Sequence, residues 1–310
     1  MTRVLSVLGR VTGGRQARSV RRMTNGRALP GGRSEGSGAP LRGLWRLSVF
    51  LFVVGFALNL VGIVSHVAVS SFAKRWFTTP FPPMWTTEWY AYSWREFELN
   101  RVLTVTATVA GTVTALALLL GFPAAYALAR RDFRGKGVVL LLYFLPLLIP
   151  QFTYGIPLAT TLYRHRIGGT IYGVILANLV PMLPLAVFVL LPFFEQISVH
   201  LEWAARVHGA NRRQVFRRVV LPLARPGLLT AGLLVLVSTI ANFELTFLLS
   251  GAGSQTLVVT LYYAVFASGM RPIYSVDAMA VIYMVTVLLI LLVALRYVRP
   301  TQMVFRLDRR

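Results

Sequence analysis

Two glutamates stand where carboxylates are costly or unusual. Glu244 lies in IANFELTF, within a long apolar run, and Glu202 lies in LEWAARVHGANRRQVFRRVVLP, Leu201 to Pro222, where arginines crowd between two such runs. An ionisable side chain inside a membrane span must face a cavity or a partner. Glu244 therefore reads as a hydrogen-bonded contact between helices, as a pore-lining cation site, or as an interfacial position near the outer end of its span. Asn242 precedes it by two residues. At about 100° per residue the two would lie about 200° apart on a helix and so on different faces. Asn178, between two groups of prolines, is a further pore candidate.

Other chemistries are poorly supplied. There is no cysteine, which removes disulfides, thiolate metal sites and cysteine nucleophiles. His66, His165, His200 and His208 are dispersed, with no pair at metal-ligand spacing. The ten acidic residues are scattered rather than gathered at one interface, which argues against an integral membrane enzyme. No phosphate-binding loop of the form G-x-x-x-x-G-K-[ST] occurs. In RGKG, residues 134–137, Arg130 occupies the place of the first glycine. The chain is therefore expected to bind no cofactor of its own.

The elements that must position these residues are membrane helices. Hydrophobic residues make up 56% of the chain and charged ones 14%, with a mean hydropathy of +0.65, and long runs produce that balance. An all-α integral membrane protein is expected, with six transmembrane helices over residues 44–72, 101–129, 138–163, 168–194, 227–249 and 276–298. Each run exceeds the roughly 20 residues that cross a bilayer core. Residues 1–43 are rich in Arg, Gly and Ser and read as a disordered basic tail that meets anionic lipid. They lack the layout of a signal peptide, and Met23 is an alternative start. Residues 73–100, rich in Trp, Tyr and Pro, read as an interfacial anchor or as a contact for an extracytoplasmic partner.

Charge sets the orientation. The net charge is +22, and 25 of the 32 basic residues fall on one side of the six-span layout. The other side holds Lys74, Arg75, Arg95, Arg101, Arg164, Arg166 and Arg271. The positive-inside bias places both termini, including residues 301–310, in the cytoplasm of a multi-pass membrane protein. Topology accounts for the charge, so no nucleic-acid partner is expected.

The loop 195–226 is then cytoplasmic, and it is no plain spacer. On a helix, Val215, Phe216, Val219 and Val220 share one arc while Arg213, Arg217 and Arg218 cover the other side. Leu201, Ala204, Ala205 and His208 share a face at i, i+3, i+4, i+7 spacing. Gly209 between them suits a turn, and Pro222 is expected to end the second helix. Two readings follow for this hairpin: a docking surface for another protein, or an amphipathic pair resting on lipid headgroups. Prolines 123, 146, 150, 157, 181, 184 and 192 inside the spans point to broken helices lining a cavity. Spans three to five are accordingly expected inside the assembly and span one at its periphery.

The hairpin resembles the EAA loop of the permease subunits of bacterial ATP-binding-cassette importers. That pattern is Glu-Ala-Ala, three residues, Gly, nine residues, an aliphatic, one residue, Leu-Pro. Ala204, Ala205, Gly209, Val219, Leu221 and Pro222 stand at those spacings. GFPAAYALARRDFRGK, FLPLLIP and ANFELTFLLSGAGSQTLVVTLYY agree with it, over roughly residues 45–300. The resemblance implies a type I importer permease fold. It implies a second permease subunit, identical or not, a separate cytoplasmic ATPase dimer that binds ATP and grips the loop, and an extracytoplasmic solute-binding protein. In the family the loop's glutamate helps anchor it in the ATPase. Here Trp203 takes that place, with Glu202 one residue earlier. Either Glu202 reaches the ATPase from another angle, or Trp203 fills an apolar cleft. The aromatic segment before span two and NFELTFLLSG look more like the polyamine-type branch than the sugar branch. Sugar, phosphonate and iron importers remain alternatives, and a secondary transporter is the rival of another class, one that leaves the hairpin unexplained.

Overall fold

The computed structural model describes residues 39–77, 79–266 and 272–297. Most of the expected tail, the C-terminal residues 301–310 and Arg271 lie outside the described residues. The chain divides into two units, Met1–Asn59 and Leu60–Arg310. In the first, the described residues belong to α1 (Ala39–Ser70), which starts there and ends in the second unit. Its apolar residues run all round the helix, and Trp45, Phe50, Phe52 and Phe56 are exposed, as suits lipid cladding.

The second unit is helical throughout its named elements. After α2 (Glu88–Glu96) come α3 (Leu99–Arg130), α4 (Lys136–Leu148), α5 (Gln151–Arg164) and α6 (Ile171–Gln196). The hairpin follows as α7 (Val199–Val207) and α8 (Arg212–Val215), then α9 (Leu221–Ala241), α10 (Glu244–Leu249), α11 (Leu257–Phe266) and α12 (Ile273–Tyr297). Among the described residues, five helical stretches are long and apolar enough to cross a membrane, and one bent pair counts as a sixth if it is a single span.

That bent pair is the expected span 138–163. It is interrupted: α4 and α5 meet at 90°. Pro150 explains the break. It has no N–H, and its ring forces the preceding residue out of helix, so Ile149 is extended (φ −91°, ψ 137°). The expected span 227–249 is also interrupted, here without a proline. α9 stops at Ala241, Asn242 is extended (φ −73°, ψ 101°), and α10 restarts at Glu244. By contrast α6 stays helical through Pro181, Pro184 and Pro192.

Pro222 does not end the hairpin's second helix, contrary to the sequence expectation. Arg212 to Ala241 forms one continuous helical rod, with a π-helical turn at Phe216–Val220 just before α9. A proline ring clashes with the carbonyl four residues earlier, here Arg218. The wider π turn relieves that clash and lets the rod run on.

Helices α3, α6 and α9 pack as the centre of the unit. One apolar cluster joins Val113, Val174, Ala186, Val235 and Leu245. A second, towards the hairpin, includes Phe122, Leu190, Phe194, Val215 and Val220. A third joins Phe97, Leu99 and Val102 to Leu257, Val276 and Met279. The aromatic segment after α1 is tied to the start of α12: Tyr274 Oη accepts from Trp76 N–H (2.8 Å), and Ser93 Oγ donates to Ser275 O (2.8 Å). Phe77, Phe81 and Trp85 remain exposed.

Candidate solute cavity and coupling hairpin

The two helix breaks face each other across a cavity of about 520 Å3, lined by Gln151, Pro181, Ser238, Asn242, Phe243 and Glu244 among others. A backbone freed from helix inside a bilayer is tolerated where it lines a cavity, because its polar groups can be satisfied there. Asn242 is buried, and neither of its side-chain polar atoms has a hydrogen-bond partner among the described residues; the same holds for Gln151 Oε1. The Glu244 carboxylate is half-buried and makes no hydrogen bond or ion pair among the described residues.

The sequence reading set Asn242 and Glu244 on different faces. The structure brings both to one cavity, because the regular turn per residue fails where the helix stops between them. Asn178 goes elsewhere. Its Nδ2 donates to Val174 O (2.9 Å) and to Thr246 Oγ1 (3.1 Å), joining α6 to α10, and it does not line the cavity. Gln151 and Phe243 were missed, although a polar residue straight after Pro150 in an apolar run was a legible signal. Phe243 begins an aromatic ladder. It stacks on Phe247 (ring centroids 5.1 Å) and meets Tyr262 at a tilt (4.7 Å), which in turn meets Phe266 (4.4 Å). Gly155 lets α5 and α10 approach: a Cβ there would lie 2.9 Å from side-chain carbons of Leu245 and Leu248.

The hairpin turns at Gly209, whose φ of +83° only glycine adopts without strain. No heavy atom would meet a Cβ there, so conformation and not space demands the glycine. The second arm starts with a capping box: Asn211 Oδ1 accepts from Gln214 N–H (2.9 Å), and Gln214 Oε1 accepts from Asn211 N–H (2.8 Å). Val215 and Val220 are buried, and Phe216 meets Phe122 edge-on at 5.5 Å, so the apolar arc of this arm faces the chain's own helices. Leu221 and Pro222 are half-buried at the junction with α9.

The first arm is arranged the other way. Leu201, Ala204 and His208 are exposed, Ala205 is half-buried, and Trp203 (54%) and Val207 (85%) stand open to solvent. Trp203 touches His200 edge-on at 5.2 Å. Ala205, Gly209, Arg218 and Val219 line a groove between the arms. Glu202, which the sequence reading allowed to reach a partner, is buried at 2% exposure. Its Oε2 accepts from Tyr126 Oη (2.7 Å) and its Oε1 from Arg130 Nε (2.8 Å). Neither Tyr126 nor Arg130 was read from sequence as a partner of Glu202.

Residues 117–302 match the family described as "binding-protein-dependent transport system inner membrane component". The chain belongs to this family. The permease is thus a multi-pass inner-membrane transport component and not an enzyme. It is 30% identical over 220 residues to a diacetylchitobiose uptake system permease protein of Streptomyces coelicolor, covering 70% of this chain and 72% of that one. It is 40% identical over 124 residues to a trehalose transport system permease protein of Mycobacterium tuberculosis, covering 40% of this chain and 45% of the relative. A molybdate/tungstate transport system permease protein of Pyrococcus abyssi is 34% identical over 135 residues, covering 44% and 52%. Two of these three matches therefore span about half of the relative or less. Among solved structures, a bacterial ABC transporter involved in import of the acidic polysaccharide alginate matches with a TM-score of 0.67 at 20% identity, over 84% of this chain and 98% of that one. At that identity the likeness shows the fold, that of an ABC importer permease.

Proposed function

We propose that this permease forms half of the solute pathway of an ATP-driven importer, with the cavity at Gln151, Asn242 and Glu244 as its solute site. A second permease subunit completes the pore, an extracytoplasmic binding protein delivers the solute, and a separate ATPase dimer drives it through the hairpin. The observation that supports this most is the meeting of two broken helices at one largely apolar cavity that also presents Gln151, Ser238, Asn242 and Glu244, with an open apolar face on the hairpin's first arm. ATP is bound by the partner, since this chain carries no phosphate loop.

The solute class that fits is a neutral saccharide. Amide and carboxylate groups exchange hydrogen bonds with hydroxyls, and the aromatic ladder from Phe243 offers flat apolar faces to sugar rings. Two of the relatives are named for trehalose and diacetylchitobiose. A molybdate-like dianion fits poorly, because Glu244 repels it and the described lining residues include no Lys or Arg. A polyamine is the second reading, carried by the Glu244 carboxylate, which has no ion-pair partner among the described residues. Uptake into proteoliposomes holding the whole complex, in competition with trehalose, spermidine and molybdate, separates them. Competition by trehalose alone supports the saccharide reading; competition by spermidine alone replaces it with the polyamine.

A further inference from the structure

We propose that Arg130 is a positioning residue that locks the hairpin to the membrane helices, so that a push on the hairpin is transmitted instead of absorbed. The proposal rests on the reading of the hairpin as the ATPase contact. Arg130 is the last residue of α3, at the end of a span that packs against α6 and α9. Its guanidinium ties three segments at once. Nε donates to Glu202 Oε1 on α7 (2.8 Å), Nη1 to Phe194 O near the end of α6 (3.0 Å), and Nη2 to Ile197 O just past that end (2.9 Å). The planar fork of arginine allows all three at fixed angles, which a lysine ammonium does not reproduce. Tyr126, one turn earlier on α3, holds the second carboxylate oxygen, and Arg206 adds a longer contact at 3.9 Å.

The side chains of Arg130 and Glu202 are 12% and 3% exposed. A buried pair of this kind adds little net stability, yet breaking it by removing one partner is strongly unfavourable. Such a contact holds its geometry under load. It also gives Glu202 a role: the carboxylate one residue ahead of the family's glutamate position turns inward as the hairpin's root, leaving Trp203 and Val207 outward. The second arm is fixed independently, as the start of the rod that runs to Ala241 and so to the cavity wall. The hairpin is therefore clamped to α3, α6 and α9 on its inner side and open on its outer side.

The test needs no knowledge of the solute. In the complete complex with its ATPase, S238C, at the cavity wall of this cysteine-free chain, reports cavity opening by its rate of labelling with a maleimide, with and without ATP plus vanadate. The lock predicts that the nucleotide-dependent change in labelling is lost, by about tenfold, when E202Q or R130Q is added, while ATPase retention is kept. R130Q/E202Q together are no worse than the worse single variant, as for two halves of one contact. Y126F falls between. An unchanged labelling response in both single variants overturns the proposal. Loss of the ATPase from E202Q also overturns it, by making Glu202 a partner contact. If retention survives even G209W and W203A, the docking reading itself fails and the lock with it, whereas an unchanged response alone leaves docking standing.

Discussion

Asn242 and Glu244 stand two residues apart and line one cavity, because α9 stops at Ala241 and α10 starts at Glu244. An unbroken helix would have sent one of them into the packing between helices. The break opposite, at Ile149–Pro150, supplies Gln151 to the same space. Under the proposed function, solute handling falls to irregular backbone and not to a helix face.

Replacing Glu244 tests that assignment. Glu244→Ala is expected to lower uptake about tenfold or more, the loss of a hydrogen bond to a charged group. Glu244→Gln should retain part of the uptake of a neutral saccharide, because an amide still exchanges hydrogen bonds with hydroxyls. Initial rates in proteoliposomes measure both, and full wild-type uptake in Glu244→Gln removes the residue from the path.

Gly155→Val drives a side chain into Leu245 and Leu248. Overpacking of this kind costs about 1–3 kcal/mol, and α10 must move away from α5. Thermal unfolding of the purified protein should shift downward, with reduced uptake per folded molecule. A variant with unaltered melting would show that α5 and α10 do not pack as described.

Thr246→Val leaves the buried Asn178 amide without its partner on α10 and should cost about 1–3 kcal/mol. Uptake normalised to folded protein should stay near wild type, since Asn178 joins helices and does not line the cavity. A selective fall in affinity for solute at unchanged stability would place Asn178 on the path after all.

Gly209→Ala forces a residue with a Cβ into φ near +83°, at about 1–2 kcal/mol of local strain. Membrane insertion should be normal and ATPase retention weakened, and Gly209→Trp should weaken it further. Equal retention in all three forms would mean that the turn does not shape a docking surface.

Much of this was legible in the sequence. Long apolar runs mark the spans, and the spacing of Ala204, Ala205, Gly209, Leu221 and Pro222 marks the hairpin. The turn at Gly209 was readable because few residues accept its backbone angles. Pro222 misled, since a proline reads as a stop and only the π turn before it reveals continuity. The break at Asn242 carries no proline and no glycine, so periodicity alone ran straight through it. The Glu202–Arg130 contact joins residues 72 positions apart, and neither side chain announces its partner. Local rules find turns and faces; which faces meet is decided by packing.

The first arm of the hairpin is the surface proposed to meet an ATPase. The chain has no cysteine, so single cysteines can be placed without background from the permease itself. Cross-linking in the complete complex from W203C and V207C on the exposed arm, with L119C on the exposed side of α3 as control, tests it most directly. A covalent adduct with the ATPase subunit is expected from positions 203 and 207 and none from 119. No adduct from either hairpin position, in a complex that hydrolyses ATP, would contradict it.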